Sequence, residues 1–304
     1  MTEQDALSAI LRQIGFSAVV FFRDGYCGEW GVDTSGTTHA PFHLVCQGEG
    51  WLHSDHQDPQ KLVAGQLVFF PQDAPHILAA SDVPPAKEQI NLPPPERLSG
   101  RITQLVCGYF MFDQRSAAPL LTSLPGTVVL DLSQSGDPST RELVNLWMRE
   151  AAQSGLGSDL AVDRYAELVF IQMLRGEIEN DRLQGVIGAL GDSKLGDVLA
   201  RIHQDPGAEH ALSDMAVTAG MSDSAFTQRF KKRVGMTPGQ YVKHWRMQTA
   251  ARALLDTNAG MFEIANDVGY ESEAAFRKAF SSHFGVAPGK YRREGEAPSP
   301  VESV

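Results

Sequence analysis

Cysteine is scarce in this chain: there are three in 304 residues, at positions 27, 46 and 107. Three thiols cannot make a paired disulfide framework, and so low a count fits a reducing cytoplasm. Long apolar runs are missing as well. None approaches the ~18 residues that a membrane span requires. The first segment, MTEQDALSAILRQIG, sets acids ahead of its apolar stretch, unlike a secretory signal. A cytoplasmic location with no membrane partner is the expectation. The common catalytic motifs are absent too: no G-x-S-x-G elbow, no phosphate-binding glycine loop, no H-E-x-x-H and no C-x-x-C. The H-x-H…E…H pattern of oxygen-activating metal sites fails at its first step, because Val45 stands two places after His43. The chain is therefore expected not to be an enzyme, with a metalloenzyme kept as the rival class.

Positive charge is in short supply. Lys and Arg number 26 against 37 Asp and Glu, a formal net charge of −11, which argues against a general binder of polyanions. The deficit is uneven: residues 190–294 hold 14 Lys/Arg against 12 Asp/Glu, and the remainder holds 12 against 25. Within the basic part Lys231, Lys232 and Arg233 cluster, as do Lys243 with Arg246 and Arg292 with Arg293. Such clusters supply phosphate contacts through counterion release, or else mark a solvated face.

What the chain does have is a repeat. SDSAFTQRFKKRVGMTPGQYV (222–242) returns as SEAAFRKAFSSHFGVAPGKYR (272–292). Ala225, Phe226, Phe230, Gly235, Pro238, Gly239 and Tyr241 recur as Ala275, Phe276, Phe280, Gly285, Pro288, Gly289 and Tyr291, so one supersecondary unit is used twice. Each copy reads as helix, tight turn, helix. In the first, Leu212, Met215 and Ala216 line one face of a short helix, with Ser213 as a candidate N-cap. Gly220 makes the turn, and Ser222 caps the next helix. Phe226 and Phe230, four apart, point inward. In the second copy Phe276, Phe280 and Phe284 do so, which leaves Glu273, Ala274, Arg277 and Lys278 outward. From Pro238, residues 241–255 (YVKHWRMQTAARALL) form a connecting rod of ~22 Å at ~1.5 Å per residue. Two recognition helices on such a rod could reach successive major-groove turns ~34 Å apart; the alternative is a helical bundle that binds protein.

Residues 195–293 resemble the DNA-binding domain of AraC/XylS-type transcription regulators, through AVTAGMSDSAF, FKKRVGMTPGQYV, WRMQTAARALL, IANDVGYESEAAF and FGVAPGKYRR. The resemblance implies that Ser224, Thr227 and Gln228 face bases in one groove segment, and Glu273, Ala274, Arg277 and Lys278 in the next. It also implies double-stranded DNA as partner, with RNA polymerase and a second copy of the chain. Arg277 or Lys278 could read guanine and Gln228 adenine, and each could instead touch only phosphate or solvent. Lys231, Lys232, Arg233, Lys243, Arg246, Arg292 and Arg293 are the candidate phosphate contacts.

The first 115 residues have another grammar. Short apolar segments at 18–22, 42–46, 67–70 and 105–112 stand between Gly, Pro, Asp and Ser clusters, the spacing of an all-β barrel or sandwich. His43 to Val45 followed by Gly48 to Leu52 reads as strand, tight turn, strand. PFHLV, AGQLVFFPQDAPH and LVCGYFMFD are similar to the cupin sensory domain found at the N-terminus of one AraC-type subgroup. Residues 139–179 read as two amphipathic helices, serving either a dimer contact or internal packing.

The implied fold is α+β in two domains: a cupin-like β-barrel over 1–135, linker or dimerisation helices over 136–190, an all-α double helix-turn-helix over 191–294, and a disordered tail over 295–304 rich in Pro and Glu. Cupin barrels commonly hold a metal on inward histidines, and His39, His43, His53, His56 and His76 are available with the three cysteines. Motif positions within the subgroup favour Cys27, His43, His76 and Cys107, a set suited to tetrahedral zinc, although spacings of 16, 33 and 31 carry no metal-site signature. Some regulators with this sensory domain respond to reactive chlorine through two cysteines, and Cys27 and Cys107 match those positions. Cys107 in LVCGYF reads equally as a small core residue. Alternation puts Cys46 opposite His43. The expected protein is a dimeric, DNA-binding transcription regulator, more an activator than a repressor, that senses a metal, an oxidant or a small effector.

Overall fold

The computed structural model describes residues 5–55, 58–113, 117, 120–122, 124–134, 136–153, 155–180 and 183–296; His56 and the tail 297–304 lie outside them. Two compact units result, one of residues 15–177 and one that joins the residues up to 14 with those from 178 onward.

The first unit contains two antiparallel sheets. Strands β1 (Ser17–Cys27), β8 (Ile102–Met111), β3 (Ala40–Gln47), β6 (Gln66–Phe69) and β9 (Val128–Asp131) follow one another in that order. Strands β2 (Gly31–Val32), β7 (His76–Ala79), β4 (Glu49–Ser54) and β5 (Gln60–Val63) make the second sheet. Gly48, at φ +78°, turns β3 into β4. That turn is the strand–turn–strand read from the sequence, yet it joins two sheets, because β3 and β4 do not pair.

Both faces of the central strands β8, β3 and β6 are buried, which is why these strands carry near-continuous apolar runs. On the inner face Val45, Val68, Leu105 and Cys107 pack with Tyr26, Trp30, Leu52, Leu62 and Leu78. On the outer face Phe42 stacks on Phe110 and meets Trp147, while Phe69 and Phe110 meet Phe170. Gly108 permits this, since a Cβ there would stand 2.5 Å from the Phe42 ring. Trp147 lies on α2 (Pro138–Ala151) and Phe170 on α3 (Ser158–Glu179). Asp137 starts α2 by accepting from the backbone N–H groups of Ser139 and Thr140, with Pro138 in the first turn.

Among the described residues strand β1 is an edge, with β8 its one neighbour in the sheet. Two of its backbone N–H groups are taken up by a helix: Ala18 N–H donates to Glu167 and Val20 N–H to Asp163, both on α3. Arg23 joins the same row through Asp159. Three acids four residues apart lie in line on a helix, and here they run along the strand.

The second unit is helical. It comprises α1 (Ala6–Gln13), α4 (Gly185–Leu190), α5 (Gly196–Gln204), α6 (Leu212–Thr218), α7 (Asp223–Val234), α8 (Pro238–Asp256), α9 (Met261–Asp267), α10 (Glu273–Phe284) and α11 (Pro288–Glu296). The sequence reading gave residues 1–135 to the barrel, but α1 packs with this unit instead. Ala9, Ile10 and Leu11 are buried, and the Gln13 amide donates to the Gln248 carbonyl in α8. The turn Gly220 has φ +61°, and its counterpart Gly269 has φ +76°. Ser222 and Ser272 cap α7 and α10 by accepting from Ala225 and Ala275. Ser213 is not a cap: α6 begins one residue earlier, after Ala211. The rod runs from Pro238 to Asp256, longer than the expected 241–255 because Thr237 and Gln240 form a capping box ahead of it.

Candidate nucleic-acid interface and barrel interior

The phenylalanines orient both recognition helices. Phe226, Phe230, Phe276 and Phe280 are fully buried, so the opposite faces of α7 and α10 turn outward. Ser224 and Gln228 are exposed on α7, with Thr227 half-buried and its hydroxyl donating to the Asp223 carbonyl. On α10, Ala274, Arg277 and Lys278 are exposed and Glu273 is half-buried. Arg277 is held upright by Glu273 one turn earlier, its Nε donating at 2.7 Å.

The candidate phosphate contacts separate into two groups. Lys231, Lys232, Lys243 and Arg293 are exposed. Arg246 and Arg292 have another task. Arg246 donates to three backbone carbonyls, of Pro206 (2.7 Å), Ala208 (2.9 Å) and Gly269 (3.2 Å), and so braces two loops against α8. Gly269 must be glycine here, because a Cβ would meet the Gly207 carbonyl at 2.5 Å and the Arg246 guanidinium at 2.8 Å. Arg292 donates to the carbonyls of Leu254 and Ala259 and so closes the C-terminal end of α8. Arg233 is half-buried with its Nε 3.6 Å from Asp192. Arg229 makes the stronger contact with the same carboxylate, down to 2.8 Å.

Inside the barrel the structure brings together two of the four proposed metal ligands. His43 Nε2 and His76 Nε2 lie 3.1 Å apart, and Thr34 Oγ1 stands 3.2 Å from the first and 3.0 Å from the second. His76 Nδ1 is 2.8 Å from the Ala74 carbonyl and must donate to it, so its Nε2 carries a bare lone pair. A consistent arrangement has His43 Nε2–H donating to the threonine hydroxyl, which donates on to His76. His43 Nδ1 is left buried without a partner. Burial holds His43 well below the ordinary imidazole range, and the neighbouring His76 adds to this. Burial lowers His76 too, against the Ala74 carbonyl and the acids Asp33 and Asp73. Both rings are uncharged at neutral pH.

The other two proposed ligands do not join them. The β1–β8 register pairs Cys27 with Ile102 and Phe22 with Cys107, so five steps of the ladder, ~17 Å at ~3.3 Å each, separate the thiols. That rules out a direct disulfide without rearrangement. Cys107 sits opposite His43 across the β3–β8 ladder, fully buried, with its thiol pushed up by burial and therefore protonated. Among the described residues no three His, Cys, Asp or Glu side chains gather as a metal group. The four-ligand zinc set is thus not assembled, and the third polar group at the histidines is a threonine hydroxyl. His39 is exposed, and His53 is engaged by the Ser81 carbonyl. Cys46 lies at a bulge, where burial raises its thiol to about 12.

Residues 5–179 match the cupin family, more than half of the chain, and residues 215–294 match a helix-turn-helix domain. The chain belongs to the AraC-type transcription regulators with an N-terminal cupin domain. This regulator is similar to the HTH-type transcriptional regulator MtrA of Neisseria gonorrhoeae, 31% identical over 83% of this chain and 86% of that one. An HTH-type regulator of Haemophilus influenzae is 31% identical over 88% and 91%. The RCS-specific HTH-type transcriptional activator RclR of Escherichia coli K12 is 28% identical over 83% of each. No helix among the described residues of the regulator is long and apolar enough to cross a membrane.

Proposed function

We propose that the regulator binds a direct-repeat DNA site, with α7 reading one repeat and α10 the next, and that the His43–Thr34–His76 cluster is where the barrel receives its signal. The observation that carries the first part is the burial of both phenylalanine pairs, which leaves Gln228, Arg277 and Lys278 outward on the two helices. Arg277→Ala and Lys278→Ala should each relax base preference within one repeat by about 1–3 kcal/mol per lost base contact. Lys232→Ala should weaken all sequences alike and lower the salt slope by ~1. Competition binding on site variants checks this. Equal binding of every variant by the parent and both α10 substitutions would remove the assignment.

The second part rests on a buried polar triangle in an otherwise apolar interior, where an unpartnered imidazole nitrogen is costly to keep. His76 lies flat on Phe70, ring centroids 3.6 Å apart, so His76→Phe removes the polar group while retaining an aromatic ring. Full-length parent and variant would be stripped with chelator, then given zinc or hypochlorite, with DNA affinity as readout. A response in the parent that His76→Phe loses supports the cluster. A response kept by the variant, or none in the parent to either probe, counts against it. The regulator acts on this reading by binding and not by catalysis. It does so as an activator, as the printed name of the Escherichia coli relative supports, and on the same reading it is a homodimer that engages RNA polymerase. Leu160 and Leu168, exposed two turns apart on α3, give that dimer an apolar stripe.

A further inference from the structure

The two recognition helices are not held alike. Asp192 lies between α4 and α5 with 2% of its side chain exposed. Its Oδ1 accepts from the backbone N–H groups of Lys194 and Leu195, which fixes the carboxylate in its loop. The same carboxylate takes Arg229 through Nε and Nη2, and Arg233 of the next turn stands at 3.6 Å. Two successive turns of α7 therefore hang from one buried acid outside the helix-turn-helix, a charge-assisted and directional contact.

The repeat register shows what α10 has instead. Residues 229 and 233 correspond to Ala279 and His283. Alanine cannot pair with an acid, and His283 packs edge-on to His244 of the rod, ring centroids 5.1 Å apart. The arginine on α10, Arg277, pairs within its own helix with Glu273.

Asp192 is also next to the point where the chain arrives from the barrel. The long helix α3 ends in the C-terminal unit at Ile178 and Glu179, and Gly191 packs against Ile178 so closely that a Cβ would lie 2.8 Å from its Cγ2 and 3.0 Å from its carbonyl oxygen. A shift of the α3 end therefore presses on the residue beside Asp192.

We propose that Asp192 is a positioning residue that ties the first recognition helix, and not the second, to the end of α3, so that the barrel's signal governs occupancy of one repeat of the DNA site while the other repeat anchors the protein. This rests on the reading that α7 and α10 take successive repeats.

The test uses the full chain and a duplex recovered by it from a random-sequence pool, with hydroxyl-radical footprints of parent and variants. The underlying reading has its own check: the parent must protect two segments, and Arg277→Ala must perturb one of them, which is thereby the α10 segment. Asp192→Asn keeps the size and the backbone contacts of the side chain but loses its charge. It should weaken protection over the other segment at least about tenfold, the worth of one base contact, and leave the α10 segment unchanged. Gly191→Ala, which forces the Ile178 contact apart, should give the same one-sided loss. Equal weakening of both segments would show Asp192 to be merely structural, and no weakening would show α7 to be held without it; either result overturns the proposal. Misfolding of Asp192→Asn would erase both segments, and Arg229→Lys, which keeps the charge but not the two-pronged geometry, then decides by the same one-sided criterion.

Discussion

Arg246→Met is expected to destabilise the C-terminal unit by about 3 kcal/mol and lower its melting temperature by roughly 10 °C, with little specific effect on the salt dependence of DNA binding. Each of the three carbonyls it serves is a charge-assisted acceptor, and removing the guanidinium leaves the carbonyls of Pro206, Ala208 and Gly269 to find other donors. A phosphate contact behaves in the opposite way: stability holds, affinity falls at every sequence, and the salt slope drops by ~1. Thermal unfolding and a salt titration on the same preparation separate the two. An unchanged melting temperature with a reduced slope would return Arg246 to the DNA surface.

The second large effect concerns the aromatic spine. Phe276→Ala should cost about 3–5 kcal/mol, the range for truncating a buried phenylalanine, because Phe276 is fully enclosed by Tyr270, Phe280, Ile264 and their neighbours. Its loss undermines α10 as a whole, so DNA binding should fail on every sequence, whereas Arg277→Ala changes preference and spares the fold. Urea unfolding monitored by circular dichroism gives the stability. A variant that kept its midpoint within the error of the parent would mean that the pocket refills and that the second helix-turn-helix does not depend on this ring.

The helix-turn-helix pair was legible because its determinants are local. Caps at Ser222 and Ser272, turn glycines at 220 and 269, and phenylalanines four apart each act within a few residues. The barrel strands were legible for the same reason, as apolar segments between breakers, but sheet order was not, because register depends on partners far along the chain. That is why the turn between β3 and β4 could be read while the passage from one sheet to the other could not. The separation of the four candidate ligands was hidden for the same reason: motif position marks Cys27 and Cys107 together, and only the ladder shows how far apart β1 and β8 hold them. His43 and His76 were singled out correctly as inward residues, while Thr34 was hidden among the hydroxyls of DTSGTT. Arg246 and Arg292 show a further limit. A sequence displays a charge, but not whether its partner is a nucleic acid or the chain's own carbonyls.

The acids of α3 that occupy the N–H row of β1 bear on how copies of this chain can associate. A sheet margin with open donors invites a foreign strand, and such pairing grows without limit. Here the donors of Ala18 and Val20 are already spent on carboxylates, so at that stretch the margin offers a newcomer less backbone to zip onto. Contact between copies at that stretch then falls mainly to side chains.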